Sequence, residues 1–297
     1  MNLLITGAWM NAKSYINQIE KSGHNVIFQQ QEKEKLVVGY DWVEGIIGNG
    51  IFLSHPIENF SNLKYLQLTS AGYDRVPMNY VKKHNIKIYN ARGVYSIPMA
   101  EFAISGVLQL YKQARFFAEN QEKHKWIKHR GLLELNGKSV CIIGCGSVGT
   151  ECAKRFAAFG CNVVGVDLNP REDKAYQEIV GLNELNGILP ETDILILTLP
   201  LTKDTYYLIN DSCLDKLKQG AVLVNIARGS LIDSNALINH IGKLEGAVLD
   251  VFEEEPLNFN SSLWNMKNVI ISPHNSFVGE NNQKRLSDLI MRNLEGR

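Results

Sequence analysis

The sequence predicts an α/β protein whose strands form parallel sheets in two domains. The chain has 297 residues, 45% of them hydrophobic and 21% charged, which is a composition typical of globular proteins. Its length is long for one hydrophobic core and suits two domains. Short apolar runs alternate with helical patterns along the chain, and this alternation indicates parallel sheets covered by helices on both faces.

The first hundred residues contain a first series of strands. Helical patterns at Ala12–Lys21 and Met78–His84 lie between short apolar runs that are typical of buried strands. The predicted strands are Leu3–Thr6, Asn25–Gln29, Gly45–Ile47, Tyr65–Thr69 and Ile86–Asn90. The one low-complexity run, Gln29–Lys35, is interpreted as a solvated loop or a helix end.

A long and unusually apolar helix is predicted from Pro98 to about Phe117. Such a helix is buried either between the two domains or against another subunit, and the pattern satisfies both interpretations. The basic run that follows, Lys123–Arg130, is interpreted as a solvated face rather than an anion site. The change of pattern places a domain boundary near residue 98.

A second series of six strands fills the rest of the chain. Six strands joined by crossovers are what a complete doubly wound dinucleotide-binding domain, the Rossmann fold, requires. The predicted strands are Ser139–Ile143, Cys161–Asp167, Asp193–Leu199, Ala221–Ile226, Gly246–Asp250 and Val269–Ser272. The helices predicted between and after them are Val148–Phe159, Ser212–Leu217, Ser234–Ile241 and the amphipathic tail Gly279–Arg297.

Charge and cysteine usage narrow the possible partners. Lys plus Arg and Asp plus Glu are 31 each, so we expect no nucleic-acid partner and no anionic membrane surface. No apolar run approaches the ~20 residues of a membrane span, and Met1–Trp9 lacks the pattern of a secretion signal. Five cysteines in apolar or Gly-rich contexts indicate reduced thiols and a cytoplasmic protein. Cys141 and Cys145 have no second ligand pair, so no metal site is expected.

A glycine-rich loop connects the first strand and helix of the second series. It is a GxGxxG sequence in which the first glycine permits a tight turn and the second lets a pyrophosphate approach the backbone. The third glycine lets the helix pack closely, and the pyrophosphate would sit on free N–H groups at the helix N-terminus. The residues predicted to bind a dinucleotide here are Gly144, Gly146, Ser147, Val148 and Gly149.

The next predicted strand ends in Asp167, 18 residues after Gly149. An acidic side chain at this place accepts hydrogen bonds from the adenosine ribose hydroxyls and repels a 2′-phosphate. Together with the glycine loop, Asp167 predicts NAD as the cofactor. Arg171, four residues further on, keeps some use of NADP open.

Three polar residues each follow a different predicted strand: Arg228, Glu255 and His274. In an open parallel sheet, ligands bind at the carboxyl ends of the strands. Taken singly, each residue has a structural explanation, but their shared edge beside a nucleotide loop favours catalysis. An arginine can clamp a carboxylate and polarise the adjacent carbonyl. A histidine oriented by a carboxylate can deliver a proton, which suits hydride transfer to a 2-oxo acid.

Motifs along nearly the full chain resemble one family, the D-isomer-specific 2-hydroxyacid dehydrogenases of the phosphoglycerate and hydroxypyruvate dehydrogenase group. The similar segments are LTSAGYDRV, NARGVYSIPMAEFA, LNGKSVCIIGCGSVG, DILILTLPLTKDTYYLIN, LVNIARGSLID, GAVLDVFEEEPL and ISPH. The resemblance implies that Arg228 binds substrate, that His274 is the acid/base, and that Glu255 is its partner. It also implies that the backbone amides of Ala71 and Gly72 hold the substrate carboxylate. Cofactor contacts are implied at Pro200, Thr205, Ala227 and Asp250.

The resemblance also implies a domain organisation and an assembly. A smaller, flavodoxin-like α/β substrate domain, discontinuous in sequence, would comprise residues 1–98 and 274–297, and the NAD-binding Rossmann domain residues 99–273. The long apolar helix after residue 98 would lie in a homodimer interface. One departure concerns Asn275-Ser276-Phe277, where the family has a small, Gly-rich stretch, so the nicotinamide-side contacts are in question.

Two other functions stay open at this point: an NAD-sensing, corepressor-like interaction protein, and a Rossmann enzyme of different chemistry such as formate oxidation. Among substrates, 3-phosphoglycerate, hydroxypyruvate, glyoxylate and bulkier oxo acids all fit the motifs. A phosphorylated substrate would need a cation at the distal end of its pocket. Arg75, Arg92 and the run 123–130 are the candidates.

Overall fold

The computed structural model describes residues 1–296, which form two compact units. The first unit comprises Met1–Tyr95 and the C-terminal segment from Gly279, and the second comprises Ser96–Val278. The predicted α/β class with two parallel sheets is confirmed. The sequence-based boundary at 273/274 differs from this division, because His274 lies within the second unit. Arg297, the last residue of the predicted C-terminal helix, lies outside the described residues.

The first unit is built on a five-stranded parallel sheet in the order β2-β1-β3-β4-β5. Its strands are Asn2–Thr6 (β1), Asn25–Gln29 (β2), Gly45–Gly48 (β3), Tyr65–Leu68 (β4) and Lys87–Tyr89 (β5). Its helices are Ile16–Lys21 (α1), Met78–Lys83 (α2) and the C-terminal helix Asn282–Leu294. The predicted helix at 12–21 is wrong in its first turn, since Ala12–Ser14 forms a separate 3-10 turn.

Alternate residues of these strands fill two hydrophobic clusters, one on each face of the sheet. Leu3 and Ile5 of β1 pack in a cluster with Leu286 and Ile290 of the C-terminal helix. Leu4, between them, belongs to the cluster on the opposite face. This period of two in a strand buried on both sides is what a parallel sheet requires.

The run Gln29–Lys35 forms a largely solvated loop, as predicted, with residues 30, 31 and 33–35 exposed. Its first residue, at the end of β2, is the buried exception. Gln29 is 4% exposed, and its side-chain amide donates to the carbonyl oxygens of Gln31 at 2.9 Å and Glu34 at 3.2 Å. Its Oε1 accepts the backbone N–H of Val37 at 3.1 Å. A buried amide therefore organises this loop, because a polar group without partners would be costly at such a place.

The second unit contains a seven-stranded parallel sheet in the order β12-β11-β10-β9-β6-β7-β8. Its strands are Ser139–Ile143 (β6), Asn162–Asp167 (β7), Glu178–Gly181 (β8), Ile194–Leu197 (β9), Val222–Asn225 (β10), Gly246–Leu249 (β11) and Val269–Ile271 (β12). The prediction of six strands missed β8. This strand lies at the edge of the sheet, where it is only partly buried and carries little apolar signal.

The helix predicted from Pro98 to about Phe117 is interrupted at two residues, Lys112 and Gln113, and helical structure resumes at Ala114. The second unit contains helices Ser96–Tyr111 (α3), Ala114–Glu122 (α4), Ser147–Ala158 (α5), Leu185–Ile188 (α6), Asp211–Lys216 (α7) and Ser234–His240 (α8). Gln113 separates α3 from α4 with φ of +53°. Its side-chain amide donates to Leu110 O at 3.2 Å and Glu245 Oε1 at 3.1 Å, which stabilises the break.

The apolar face of α3 is buried within its own unit. Ala100, Ala103 and Val107 are fully buried in a cluster with residues of α5 and of β6 and β10. Gly106 approaches β11 so closely that a Cβ atom there would lie 2.6 Å from Val248 Cγ1. The apolar pattern of α3 therefore requires no second subunit to explain it.

None of the helices described in residues 1–296 is both long enough and apolar enough to serve as a membrane span. In the same residues, His, Cys, Asp and Glu side chains form no group of three or more that could hold a metal ion.

Candidate active site

The glycine loop at the end of β6 has room for a ligand at Gly146 but not at Gly144 or Gly149. Gly144 has φ of +97°, and a Cβ there would lie 2.6 Å from the backbone nitrogen of Leu199. A Cβ on Gly149 would lie 2.2 Å from Gly144 O. By contrast, a Cβ on Gly146 would meet no atom within 4 Å. Gly144 and Gly149 are thus required by the fold, whereas Gly146 opens the backbone to an external group.

The same loop begins helix α5. Gly146 is the N-cap residue and has no side chain to cap the helix, and its own amide donates no hydrogen bond to any described residue. The first N–H groups of a helix lack partners within it and carry a partial positive charge. A pyrophosphate fits this position, so Gly146, Ser147 and Val148 lie where a dinucleotide would be held.

Asp167, the last residue of β7, is fixed against the glycine loop. Its Oδ2 accepts the amide of Cys145 at 2.7 Å, and its Oδ1 accepts the amide of Asn169 at 3.0 Å. Arg171 returns to the same loop and donates from its guanidinium to the carbonyl of Cys145. Asp167 and Arg171 therefore both border the loop, with opposite charges.

The loop after β9 is held together by its own polar groups. Thr205 is 1% exposed, and its hydroxyl donates to Pro200 O at 2.9 Å and accepts the amide of Thr202 at 2.7 Å. Thr198 donates from its hydroxyl to Gly144 O at 2.6 Å and thereby ties β9 to the glycine loop. Thr205 thus shapes the loop from within, while Pro200 is exposed. The sequence analysis did not identify Thr198.

The arginine loop after β10 is shaped by a buried amide. Asn225 is 1% exposed; its Oδ1 accepts the amide of Ala227 at 3.1 Å, and its Nδ2 donates to Arg228 O at 2.9 Å. The Arg228 guanidinium donates to Ala227 O at 2.7 Å. Asn225 therefore fixes the backbone on both sides of Arg228, a role that the sequence analysis missed.

The arginine loop and the glutamate loop after β11 are in direct backbone contact. A Cβ on Gly229 would lie 1.8 Å from the carbonyl carbon of Phe252 and 2.4 Å from the amide nitrogen of Glu253. Only glycine fits at this close approach. The contact places Arg228 beside the loop that carries Glu255. The two loops follow β10 and β11, which are neighbouring parallel strands.

His274 and Glu255 form a hydrogen-bonded pair. His274 Nδ1 lies 2.8 Å from Glu255 Oε2, and the side chains are 44% and 38% exposed. The other carboxylate oxygen, Oε1, accepts the amide of Phe252 at 3.1 Å. Because Nδ1 contacts the carboxylate, Nε2 is the ring nitrogen left for a substrate. The structure thus brings together the arginine loop, the carboxylate and the imidazole.

Asp250 is fully buried beneath this pair and organises the histidine loop. Its Oδ1 accepts the hydroxyl of Ser272 at 2.6 Å and the amide of Asn275 at 2.7 Å, and its Oδ2 accepts the amide of Ser276 at 2.9 Å. Its carbonyl oxygen accepts the amide of His274, which has φ of +51°. The segment that departs from the family pattern therefore uses two of its amides to bind Asp250.

In the first unit, the loop after β4 presents two unpaired amides. The carbonyl of Ala71 accepts Asn90 Nδ2 at 2.6 Å, and that of Gly72 accepts the Ser70 hydroxyl at 3.1 Å. The Tyr95 hydroxyl donates to Thr69 O at 2.5 Å. The amides of Ala71 and Gly72 donate to none of the described residues. Such a pair of oriented N–H groups can bind a carboxylate.

The neighbouring loop after β3 is held by a single carboxylate. Glu32 accepts the hydroxyl of Thr6 at 2.7 Å and the amides of Asn49 and Gly50 at 2.6 Å each. The amide of Thr69 in turn donates to Gly48 O at 2.9 Å. The ends of β1, β3 and β4 at this edge of the first sheet are thus joined through polar contacts. The low-complexity composition around Glu32 gave no indication of this role.

Known proteins that resemble this chain belong to the family that its motifs resemble. The family model described as D-isomer specific 2-hydroxyacid dehydrogenase, NAD binding domain, matches residues 104–276, more than half of the chain. A glyoxylate reductase of Pyrococcus furiosus is 30% identical over 298 residues, covering 94% of this chain and 87% of that protein. A D-3-phosphoglycerate dehydrogenase of Archaeoglobus fulgidus is 34% identical over 221 residues, covering 73% of this chain and 42% of that protein.

A solved structure extends the likeness to the whole chain. The crystal structure of a D-lactate dehydrogenase from Aquifex aeolicus, complexed with NAD and lactic acid, superimposes with a TM-score of 0.79 at 25% identity. It covers 99% of this chain and 96% of that one. The family predicted from the motifs is confirmed, and with it a nicotinamide cofactor. The chain belongs to the D-isomer specific 2-hydroxyacid dehydrogenase family.

Proposed function

We propose that this dehydrogenase transfers a hydride between NAD(H) and a small 2-oxo acid or its D-2-hydroxy acid, with glyoxylate or hydroxypyruvate as the leading substrates. The observation that carries the proposal is the His274–Glu255 contact of 2.8 Å, with the arginine loop packed against the loop of Glu255. An imidazole, its carboxylate partner and an arginine are the groups that reduction of a 2-oxo acid needs.

In this proposal Arg228 binds the substrate carboxylate and polarises the adjacent carbonyl with its planar guanidinium. His274 donates a proton from Nε2 to the developing alkoxide, and Glu255 stabilises the imidazolium before the transfer. When bound, the nicotinamide supplies the hydride in reduction and accepts it in oxidation. In the first unit, the amides of Ala71 and Gly72 are proposed as carboxylate-binding groups, as the family resemblance implies.

The cofactor would be held by this chain's glycine loop and by the end of β7. Gly146, Ser147 and Val148 would bind the pyrophosphate at the N-terminus of α5. Asp167 would accept the ribose hydroxyls, for which each carboxylate oxygen keeps a lone pair beyond its backbone contact. Pro200 would lie against the cofactor from the loop after β9.

A phosphorylated substrate such as 3-phosphoglycerate is the alternative within the same chemistry. Arg75 packs beside Gly50, at the carboxyl edge of the first sheet, where its Cδ lies 3.8 Å from the position of a Cβ on that glycine. An arginine at this edge could bind a distal phosphate. Arg92 follows β5 at the same edge. The run 123–130 belongs to the second unit.

The test is NADH oxidation with a panel of 2-oxo acids: glyoxylate, hydroxypyruvate, pyruvate, 3-phosphohydroxypyruvate and a bulkier aliphatic acid. We expect turnover with at least one of the first two and none in the His274→Asn variant. Turnover of the phosphorylated acid alone, lost in Arg75→Ala, would favour the alternative. NADH binding without turnover of any acid would overturn the enzymatic proposal. The corepressor-like alternative is not favoured, since the relatives from Pyrococcus furiosus and Archaeoglobus fulgidus, which match 94% and 73% of the chain, are named as enzymes.

We further propose that the enzyme is a homodimer and works in the cytoplasm. We place the dimer interface at a surface other than α3, whose apolar residues pack within their own unit. Phe117, Trp126 and Ile127 are 39%, 97% and 50% exposed, and they line a cavity of about 900 Å³ between α4 and the run 123–130. Burial against a second copy would stabilise these side chains.

Light scattering is expected to give twice the mass of 33.4 kDa, and Trp126→Ala should shift the protein toward monomer. A wild-type monomer at working concentrations would overturn the dimer. The cytoplasmic assignment is supported by the cysteines, since all five are free thiols.

A further inference from the structure

Three loops of the candidate active site meet at one residue, Tyr207, which the mechanism does not use. Its backbone amide donates to Ser230 O at 2.9 Å, in the loop of Arg228. Its hydroxyl donates to the carboxylate of Glu253, in the loop of Glu255. Tyr207 itself closes the loop that follows β9. One tyrosine therefore connects the cofactor-side loop to both catalytic loops.

The backbone of Tyr207 is held in an unfavourable conformation by its neighbours. Its φ is +50°, a region that a bulky side chain rarely adopts. The residues after it pair with the arginine loop: Ile209 donates its amide to Leu231 O and accepts the amide of Asp233, each at 3.0 Å. Because these contacts fix the chain on both sides, the phenol is directed at Glu253 at a conformational cost.

Glu253 is a strong acceptor for this hydroxyl. Its Oε1 accepts the amide of Ser234 at 2.9 Å, at the start of α8, and its Oε2 accepts the Tyr207 hydroxyl. Partial burial raises the pKa of Glu253, but hydrogen bonds from Ser234 and Tyr207 hold it below its ordinary value. The carboxylate therefore stays ionised at neutral pH, and each of its oxygens has a fixed partner.

The glutamate loop connects the Tyr207–Glu253 contact to the His274–Glu255 pair through a few close contacts. The backbone of Phe252 and Glu253 packs on Gly229 with no room for a Cβ. The amide of Phe252 binds Glu255 Oε1 at 3.1 Å, and Glu255 Oε2 contacts His274 at 2.8 Å. Movement of Glu253 would therefore displace both the acceptor of the imidazole and the contact with the arginine loop.

We propose that Tyr207 is a positioning residue: its hydroxyl anchors Glu253 and so keeps Glu255 in contact with His274. The inference rests on the function proposed above, in which His274 transfers the proton. Tyr207 acts through the loop and touches none of the reacting atoms.

The test compares Tyr207→Phe with Tyr206→Phe as the matched control. Tyr206 stacks on Tyr207 with ring centroids 4.1 Å apart and is 54% exposed. Its side chain hydrogen-bonds that of Tyr207, so Tyr206→Phe removes a neighbouring hydroxyl but keeps the bond from Tyr207 to Glu253. Removal of the Tyr207 hydroxyl should lower kcat about five- to twentyfold with the dissociation constant of NADH unchanged. Tyr206→Phe should keep the wild-type kcat. In a Glu253→Ala background, Tyr207→Phe should have no further effect, because the anchor is already lost.

A second variant separates positioning from stability. Asn tolerates positive φ, so Tyr207→Asn should keep or raise the melting temperature while kcat falls as in Tyr207→Phe. If the loss of kcat followed the loss of melting temperature across these variants, or appeared equally in Tyr206→Phe, the positioning role would be wrong.

A readout without turnover distinguishes this inference from the proposed function. The groups that contact His274 among the described residues are Glu255, Phe277, Ser272 and Asp250, the last two through backbone carbonyl oxygens. Glu255 is therefore the charged side chain that stabilises the imidazolium. The NMR signal of the hydrogen-bonded His274 Nδ1 proton, assigned with His274→Asn, should shift or broaden in Tyr207→Phe as the contact with Glu255 loosens. An unchanged signal would overturn the positioning role even if no substrate were turned over.

Discussion

Glu255 accepts from His274 Nδ1 at 2.8 Å while its other oxygen is bound to the amide of Phe252, so the carboxylate cannot turn away from the imidazole without losing a second contact. Glu255→Gln should therefore lower kcat for reduction and move the alkaline loss of activity to lower pH, because neutral imidazole is favoured when the negative partner is removed. The measurement is kcat against pH in both directions, and oxidation should show the opposite trend. Glu254→Gln is the control. A profile identical to wild type would exclude Glu255 from the pair.

Arg228→Ala should abolish most 2-oxo acid reduction and leave NADH binding nearly intact. Loss of a charge-assisted bidentate contact costs on the order of 3 kcal/mol of transition-state stabilisation, which lowers kcat/KM by roughly a hundredfold. Arg228→Lys keeps the charge without the planar fork, so it should recover only part of the loss. Steady-state kinetics and NADH fluorescence titration check both statements. Wild-type kcat/KM in Arg228→Ala would contradict the assignment.

The enzyme should prefer NAD to NADP because of Asp167. A 2′-phosphate near this carboxylate would be repelled by a few kcal/mol at an effective dielectric constant of about 20, which lowers kcat/KM with NADP roughly tenfold to a hundredfold or more. Asp167→Ala should narrow that ratio. Arg171 is attached to the same loop through Cys145 O, so Arg171→Ala should remove whatever activity with NADP remains. An unchanged ratio in Asp167→Ala would rule out the proposed ribose contact.

The ionised carboxylate of Asp193 should stabilise the second unit at neutral pH, and this stabilisation should be lost in acid. Partial burial raises the pKa of this carboxyl, but hydrogen bonds from Lys218 and the Ser139 amide hold it below the ordinary 3.8. A lowered folded-state pKa contributes stability above the unfolded value, and that stability is lost as pH falls through the folded value. Asp193→Asn should therefore reduce the free energy of unfolding by about 1–2 kcal/mol near neutral pH. Denaturant unfolding at pH 7 and near pH 3 should show the difference shrinking, whereas the exposed Asp204→Asn should show none.

Four of the five cysteines should resist alkylation in the folded enzyme. Burial raises the pKa of Cys141 and Cys152 to about 12 and that of Cys145 and Cys161 to about 11. Cys213 is only partly buried. Because the thiolate is the reactive form, iodoacetamide at pH 8 should label Cys213 first, as mass spectrometry of intact protein and peptides can show. Rapid labelling of Cys145 would contradict the burial of its thiol beneath the glycine loop.

Strong local patterns allowed the sequence to predict the sheets and the loops that carry chemistry. Strands such as β6 and β7 are buried on both faces and therefore read as apolar runs bounded by turns. The edge strand β8 escaped prediction because its four residues are at most partly buried and begin with a charged residue, Glu178. The break after α3 escaped for a different reason: Gln113 bonds to Glu245, far away in sequence, and no local signal reports that contact.

The site was predictable where a residue follows a strand directly, as Arg228 and His274 do. Its supporting residues were not, because their identities are common ones with long-range partners. Asn225 fixes the arginine loop and Thr198 fixes the glycine loop, yet neither belongs to a pattern that predicts this. Tyr207 likewise acquires its partner, Glu253, only when the chain is folded.

The contacts of Gln29 and Glu32 fix the number of residues between them, whereas the identity of the exposed residues nearby is not constrained. Gln29 and Glu32 are bound to fixed partners on the sheet edge and in the loop, whereas Lys33 and Lys35 are exposed. Substitutions at the two lysines should be tolerated freely. A deletion or insertion between Gln29 and Glu32 would instead withdraw the carboxylate from the amides of Asn49 and Gly50. Related chains that diverge here are therefore expected to exchange residues without gaining or losing any.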